Sequence, residues 1–327
     1  MMTPSLSRRS LLALGAAALA GLSLPRAART QTPLRIVATT GMIADAARAI
    51  SGGGVQGLMG PGVDPHGYRQ TRSDIAALVS ADLVLWHGLR LEAQLAGLME
   101  TLQARGPVVA VAETVDPARL LRSPDYPDQP DPHLWMDPDL WLQVVAAIAD
   151  AITGATTGAD PEPAETLPAN AAAYRAEITA VQDYAKCVLA SVPPAARVLV
   201  TAHDAFGYFG RAYGFEVEGL QGISTESEAG LARIRDLVDL LVERDIRAVF
   251  VESSVPDRAM RALIEGAAAR GHTVVIGGEL YSDAMGPEGS HEGTYPGMID
   301  HNVTTIARAL GGSAPERGAF GKLAAGT

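Results

Sequence analysis

Short, unbroken apolar runs recur along this chain with helical patterns between them, and that alternation restricts the folds open to it. LRIVATT (34–40), VQGLMG (55–60), ADLVLWHG (81–88) and PVVAVA (107–112) are rich in β-branched residues and show no polar face. Between them lie stretches with helical spacing, such as 71–80 and 91–103. A strand that is apolar on both sides has to be covered on both sides, and a parallel sheet flanked by helices does this. The alternation resumes with RVLVTA (197–202), RAVFVES (247–253) and TVVIGG (273–278). At 327 residues the chain exceeds one small core and suits two domains. It therefore reads as α/β, with two doubly wound parallel-sheet lobes.

The middle of the chain supplies the join. RSPDYPDQPDP (122–132) holds four prolines and reads as a loop. DPDLWLQVVAAIADAI (137–152) reads as a helix, with Asp137 as N-cap and Pro138 in the first helical position. TGATTGADPEPAETLP (153–168) reads as loose and polar. Next comes a long helix from Ala169 to Ser191, with an apolar stripe of Tyr174, Ile178, Val181, Ala185 and Val188. The expected boundaries are 32–165 for the N-lobe, 166–192 for the linking helix, 193–311 for the C-lobe and 312–327 for a weakly ordered tail. The last helix is expected over 295–310. Cys187 is the single cysteine, so no internal disulfide is possible; within a helical pattern it reads as a small buried apolar residue.

Residues 1–31 read as a segment outside the fold. Arg8 and Arg9 precede an apolar run from Leu11 to Leu24 that is too short to span a bilayer. A basic start followed by a short apolar run predicts a cleaved export signal, and SRRSLL resembles the twin-arginine type. The segment has no cysteine to carry a lipid. It also takes away four arginines and no acid, so the mature chain is more acidic still than the whole-chain net charge of −11. Such a chain suits cations and excludes nucleic acid as a partner.

The chemistry-bearing residues are few. The chain has seven histidines, and two share a prefix: Asp64-Pro65-His66 and Asp131-Pro132-His133. His66 follows the second strand, His203 follows RVLVTA, and Asp283 follows TVVIGG through ELYS. Ligands of open parallel sheets bind beyond the carboxyl ends of the strands. Three imidazoles and one carboxylate form a donor set for a divalent transition ion. Asp64, Asp131, Asp137 and Asp204 are candidates to orient those imidazoles, since a ligating His normally donates its other ring N–H to an acceptor. His87, His272, His291 and His301 are set aside as structural. A zinc hydrolase is the rival reading, but no H-E-x-x-H occurs and no open position is evident.

GPGVDPHGY, DPHLWMDP, TAHDAFGYFGRAYGFEVEGLQGISTESE, VFVESSVP and GGELYSDAMG together resemble the periplasmic binding proteins of zinc and manganese ABC importers, the cluster A-I or TroA-like family. The resemblance spans the mature chain. It implies two α/β lobes clamped by one long rigid helix, with His66, His133, His203 and Asp283 in the cleft. It implies a monomer that captures one divalent ion, manganese or zinc, and passes it to an inner-membrane permease with its ATPase. A metal-binding adhesin on the same fold is the other alternative. Many zinc-specific members carry a His-rich acidic loop where this chain has RSPDYPDQP, which points away from zinc. Many manganese-specific members have Glu at the third ligand, where this chain has His203, and three imidazoles favour zinc. Glu226 and Glu228 either face the permease or belong to a helix N-terminal cap region, where the dipole favours Glu.

Overall fold

The computed structural model describes residues 34–123, 127–156 and 161–324; the expected export signal lies outside them. Strands β1 (Ile36–Ala38), β2 (Val55–Gly57), β3 (Leu83–Trp86) and β4 (Val108–Ala110) form one sheet in the order β2-β1-β3-β4. All its pairings are parallel, with Ile36 opposite both Val55 and Leu83. Helices α1 (Gly41–Ser51), α2 (Arg72–Ser80) and α3 (Ala96–Gln103) connect these strands. The order reverses between β1 and β3, so a crevice opens beyond their carboxyl ends. Thr39, His87 and the loop carrying His66 all lie at that end.

The second lobe repeats the principle. β5 (Val198–His203) pairs in parallel with β6 (Glu216–Gln221), and β7 (Ala248–Glu252) with β8 (Val275–Leu280). β5 runs beside β7. α6 (Gly207–Tyr213), α7 (Leu231–Glu243) and α8 (Arg258–Ala269) connect the strands, and α9 (Tyr295–Ala309) closes the lobe. β6 escaped the sequence reading because EVEGLQ has no continuous apolar run. Its close neighbour explains the glycine at 219: a Cβ there would fall 2.6 Å from the Asp204 backbone nitrogen.

α4 (Pro138–Thr156) and α5 (Pro161–Ala190) lie between the lobes. Two expectations need correction here. The described parts of 153–168 are helical rather than loose: α4 runs to Thr156 and α5 already begins at Pro161. The prolines at 161 and 163 sit in the first turn, where N–H groups have no intrahelical acceptor, so they start a helix rather than break one. Pro168 stands inside α5 at the loss of one backbone bond. Packing outweighs that loss. Tyr174, Ile178, Val181, Ala185 and Val188 are all buried, and α5 packs on α1, α4 and α9. One continuous core joins β1 residues such as Ile36 to C-lobe residues such as Phe250 and Val303 through this helix. Cys187, by contrast, is exposed, because it lies off the buried stripe.

The tail is the other correction. Up to residue 324 it is packed, with Leu323 fully buried. The buried Asp300 carboxylate accepts the Ala319 N–H at 2.7 Å, and its ring-nitrogen partner is His291 at 3.1 Å. Gly318 crosses Asp300 at φ +68°, where a side chain would clash. The Gly- and Ala-rich composition hid a segment fixed by one buried carboxylate. Leu323→Ala is therefore expected to cost about 2–5 kcal/mol, read as a lower urea midpoint with unchanged slope; a free tail would leave the midpoint where it is.

Candidate metal centre

The two Asp-Pro-His triplets form the same local turn. In each, Asp Oδ1 accepts the N–H two residues on: from His66 at 2.8 Å and from His133 at 2.9 Å. Asp116-Pro117-Ala118 and Asp137-Pro138-Asp139 make the same bond at 2.9 and 3.0 Å. Asp-Pro is thus this chain's device for a rigid Asx turn, with proline fixing φ in the middle. The histidine is what distinguishes the two chemical turns from the two structural ones.

The turns bring His66 and His133 to the residues that end the C-lobe strands. His203 is the last residue of β5, and Asp283 follows β8. The Nε2 atoms of His66 and His133 stand 3.2 Å apart. Asp283 Oδ2 is 3.1 Å from His203 Nε2 and 3.5 Å from His66 Nε2, and Oδ1 is 3.4 Å from His133 Nε2. One donor atom from each of the four lies within 4.8 Å of the others. His133 and His203 are fully buried, Asp283 is 2% exposed and His66 5%. Neither Asp283 oxygen makes a hydrogen bond of ordinary geometry, despite these short distances. Four buried donors converging on one point, with His203 Nε2 and both Asp283 oxygens left without a hydrogen bond, match the coordination shell of a cation.

The opposite ring nitrogens of His133 and His203 face carboxylates. His133 Nδ1 meets Asp131 Oδ1 at 2.8 Å. His203 Nδ1 is 2.6 Å from Glu252 Oε2, and its backbone N–H donates to Glu252 Oε1 at 2.9 Å. Glu252 was missed from sequence: it ends the apolar run RAVFVES, and nothing in a strand-end Glu announces an imidazole partner. Asp131 acts on its imidazole as expected, and Asp64 on the His66 backbone. Asp137 serves its own turn and lies 3.7 Å from Arg211, and Asp204 lines a surface cavity beyond β6. Asp137 thus bonds within its own turn rather than to an imidazole.

The histidines set aside are bonded elsewhere. His272 and His301 contact the Ile246 and Glu279 carbonyls, and His291 contacts Asp300. His87 lies closest to the cluster. Its Nε2–H donates to the Pro132 carbonyl at 2.8 Å, inside the second triplet, and its ring stands edge-on to Trp135. Trp135 donates its indole N–H to the Ser282 carbonyl at 2.9 Å, tying the His133 turn to the Asp283 loop.

The electrostatics follow from burial and charge. Burial is the largest influence on His66 and pushes it down to about 4, despite Asp283. Burial also works downward on His133, but the neighbouring carboxylates of Asp131 and Asp283 outweigh it and push it up to about 9. His203 is raised well above its ordinary value, as Glu252 and Asp283 overcome burial. Burial would raise Asp283, yet His203 and His133 hold it well below the carboxylate range. Burial sends His87 down to about 3, consistent with a neutral ring donating to a carbonyl.

The fold and cluster define a class: a two-lobed α/β binding protein with a buried cation-type donor set between its lobes. Comparison with known proteins takes this further. The model for ZnuA, "Zinc-uptake complex component A periplasmic", matches residues 36–309, and the chain belongs to that family. It is 46% identical over 279 residues to the manganese-binding lipoprotein MntA of Bacillus subtilis, covering 85% of this chain and 90% of that protein. It is 45% identical over 277 residues to the zinc-binding protein TroA of Treponema pallidum, covering 84% and 88%. The iron-binding protein YfeA of Yersinia pestis is 31% identical over 284 residues, covering 86% and 88%. The solved structure of the periplasmic zinc binding protein TroA superposes with a TM-score of 0.81 at 44% identity, covering 85% of this chain and 99% of that one.

Asp131→Asn preserves the turn acceptor and removes the charge beside His133. The His133 titration, followed by NMR of the metal-free chain, is expected to fall from about 9 towards the ordinary 6.5. The sign for stability follows. A raised pKa stabilises the fold below 6.5, and that contribution is lost as pH rises through about 9. The variant should lack this decline; an unmoved titration would show that Asp131 does not set it.

Proposed function

We propose that this chain is the extracytoplasmic binding component of a metal ABC importer, capturing one divalent ion at His66, His133, His203 and Asp283. The observation that carries the reading is the buried convergence of three imidazole Nε2 atoms on one carboxylate whose oxygens lack hydrogen bonds of ordinary geometry. The family membership supports the importer role, with a permease and an ATPase as partners. Nothing in the site or the relatives favours a hydrolase or an adhesin. The function is capture and delivery rather than catalysis, and the protein acts as a monomer. No helix among the described residues is long and apolar enough to cross a membrane. A cleaved twin-arginine leader would place the protein in the periplasm.

The ion proposed is manganese or zinc. Relatives at nearly equal identity are named for each, so identity of sequence does not choose between them. The donor set does give a direction. Nitrogen-rich sites hold Zn²⁺ more tightly than Mn²⁺, and Asp283 presents two oxygens that can adjust to either ion. The domain boundaries follow the same reading: each lobe provides two donors, and α5 fixes the lobes through their shared core. A long buried helix favours a small closure over a wide swing.

Three measurements test this. Calorimetry on the mature, metal-stripped chain should give one tight Zn²⁺ per molecule, abolished by His133→Ala. The absence of binding at unit stoichiometry would refute the site. In the same titrations, binding should release about two protons near pH 7.5, from His133 and His203, whose pKa values are raised in the metal-free site. The enthalpy should therefore vary with buffer ionisation heat, and a buffer-independent enthalpy would contradict it. Glu252→Gln should weaken affinity about 10–100-fold through misplacement of His203, with stoichiometry unchanged; native affinity in this variant would remove Glu252 from the site.

A further inference from the structure

We infer that residues 223–226 form a strap that gates the ion's passage to the buried cluster, and that Thr225 and Gln94 hold the strap shut. The inference rests on the metal-capture reading and adds a route and its latch.

The route follows from exposure. Of the four donors, His66 is the most exposed, at 5%, and it lines a surface cavity of about 190 Å³. The other three donors lie deeper. An ion moving along this cavity passes His66 first. One wall is the N-lobe loop at Arg90, and the other is the C-lobe segment with Ile223 and Glu226. The N-lobe wall is pinned: Leu91 N–H donates to the Gly88 carbonyl at 3.0 Å, and Leu89 N–H to Glu113 at 3.3 Å. Leu89 and Arg90 both adopt left-handed φ, 51° and 64°, a bend held by those bonds.

Two side-chain bonds from the C-lobe wall cross the mouth. The Thr225 hydroxyl donates to Asp64 Oδ2 at 2.5 Å. Gln94 Nε2 donates to Glu226 Oε1 at 3.2 Å. Asp64 is also the residue whose Oδ1 accepts the His66 N–H. One carboxylate thus fixes the outermost ligand turn and fastens the strap over it. On the strap's far side lies a cavity of about 770 Å³, lined by Ser224, Glu226, Ser227 and Glu228. That space accommodates the strap when the two bonds release.

Neither bond involves a donor atom of the cluster, and Thr225 takes Asp64 Oδ2 while Oδ1 keeps the His66 N–H. Breaking them leaves the free-energy difference between loaded and empty forms unchanged and lowers the barrier between them. A gate therefore alters association and dissociation rates by one common factor, whereas a ligand-positioning contact alters affinity.

The test is stopped-flow kinetics on the mature chain, with Zn²⁺ and a chromophoric chelator, comparing native protein, Thr225→Val, Thr225→Ser and the double variant Thr225→Val with Gln94→Ala. We expect both rate constants to rise about tenfold in the double variant, as for loss of hydrogen bonds to charged groups. Kd should stay within about twofold. Thr225→Val should fall between, and Thr225→Ser, which keeps the hydroxyl, should match native. Unchanged rates in a folded variant that still binds one Zn²⁺ would overturn the gate alone. So would a faster dissociation with native association, because the contact would then position His66. Failure of the native chain to bind one Zn²⁺ would overturn the capture reading and the gate with it.

Discussion

The Asp283 carboxylate, buried against three imidazoles, is the constraint around which the rest of this structure is arranged. A carboxylate taken out of water is costly unless opposite charge or good donors surround it. Here the partners come from both lobes: His66 and His133 from one, His203 from the other. Burial and charge then pull the group apart in proton affinity, lowering His66 and raising His133 and His203. A divalent ion bound there would resolve the conflict, because it would satisfy the carboxylate and hold all three imidazoles neutral.

Four polar side chains buried this close together need fixed positions, and the surrounding structure fixes them. The Asx turns set the His66 and His133 backbones. Asp131 and Glu252 set the ring faces of His133 and His203. Behind them, His87 grips the Pro132 carbonyl and Trp135 bonds across to Ser282. Tyr295 at the start of α9 donates to the Trp135 carbonyl at 2.7 Å, linking this brace to the core that α5 runs through. The long helix is thereby connected to the cluster: its buried stripe belongs to the same core as Trp135 and Tyr295.

Legibility from sequence tracked how local each determinant was. Continuous apolar strands and the doubled triplet are local, and they led to the α/β lobes and to His66 and His133. His203 and Asp283 could be nominated because they fall at strand ends, where such sheets open. Glu252 could not, since its role depends on β7 lying beside β5, a pairing that no short stretch encodes. The same applies to β6, whose alternation is too polar to stand out, and to the tail, which is ordered by Asp300 from a distant helix. The prolines at 161 and 163 misled because proline begins helices as readily as it ends them. Cys187 misled because one step off the apolar stripe separates core from solvent.

The most direct test of the central claim is anomalous diffraction from crystals of the mature chain loaded with Zn²⁺. A single peak is predicted about 2.0–2.2 Å from Nε2 of His66, His133 and His203 and from an Asp283 oxygen. A peak at any other set of residues, or an ion held by fewer than three of these four, would contradict it.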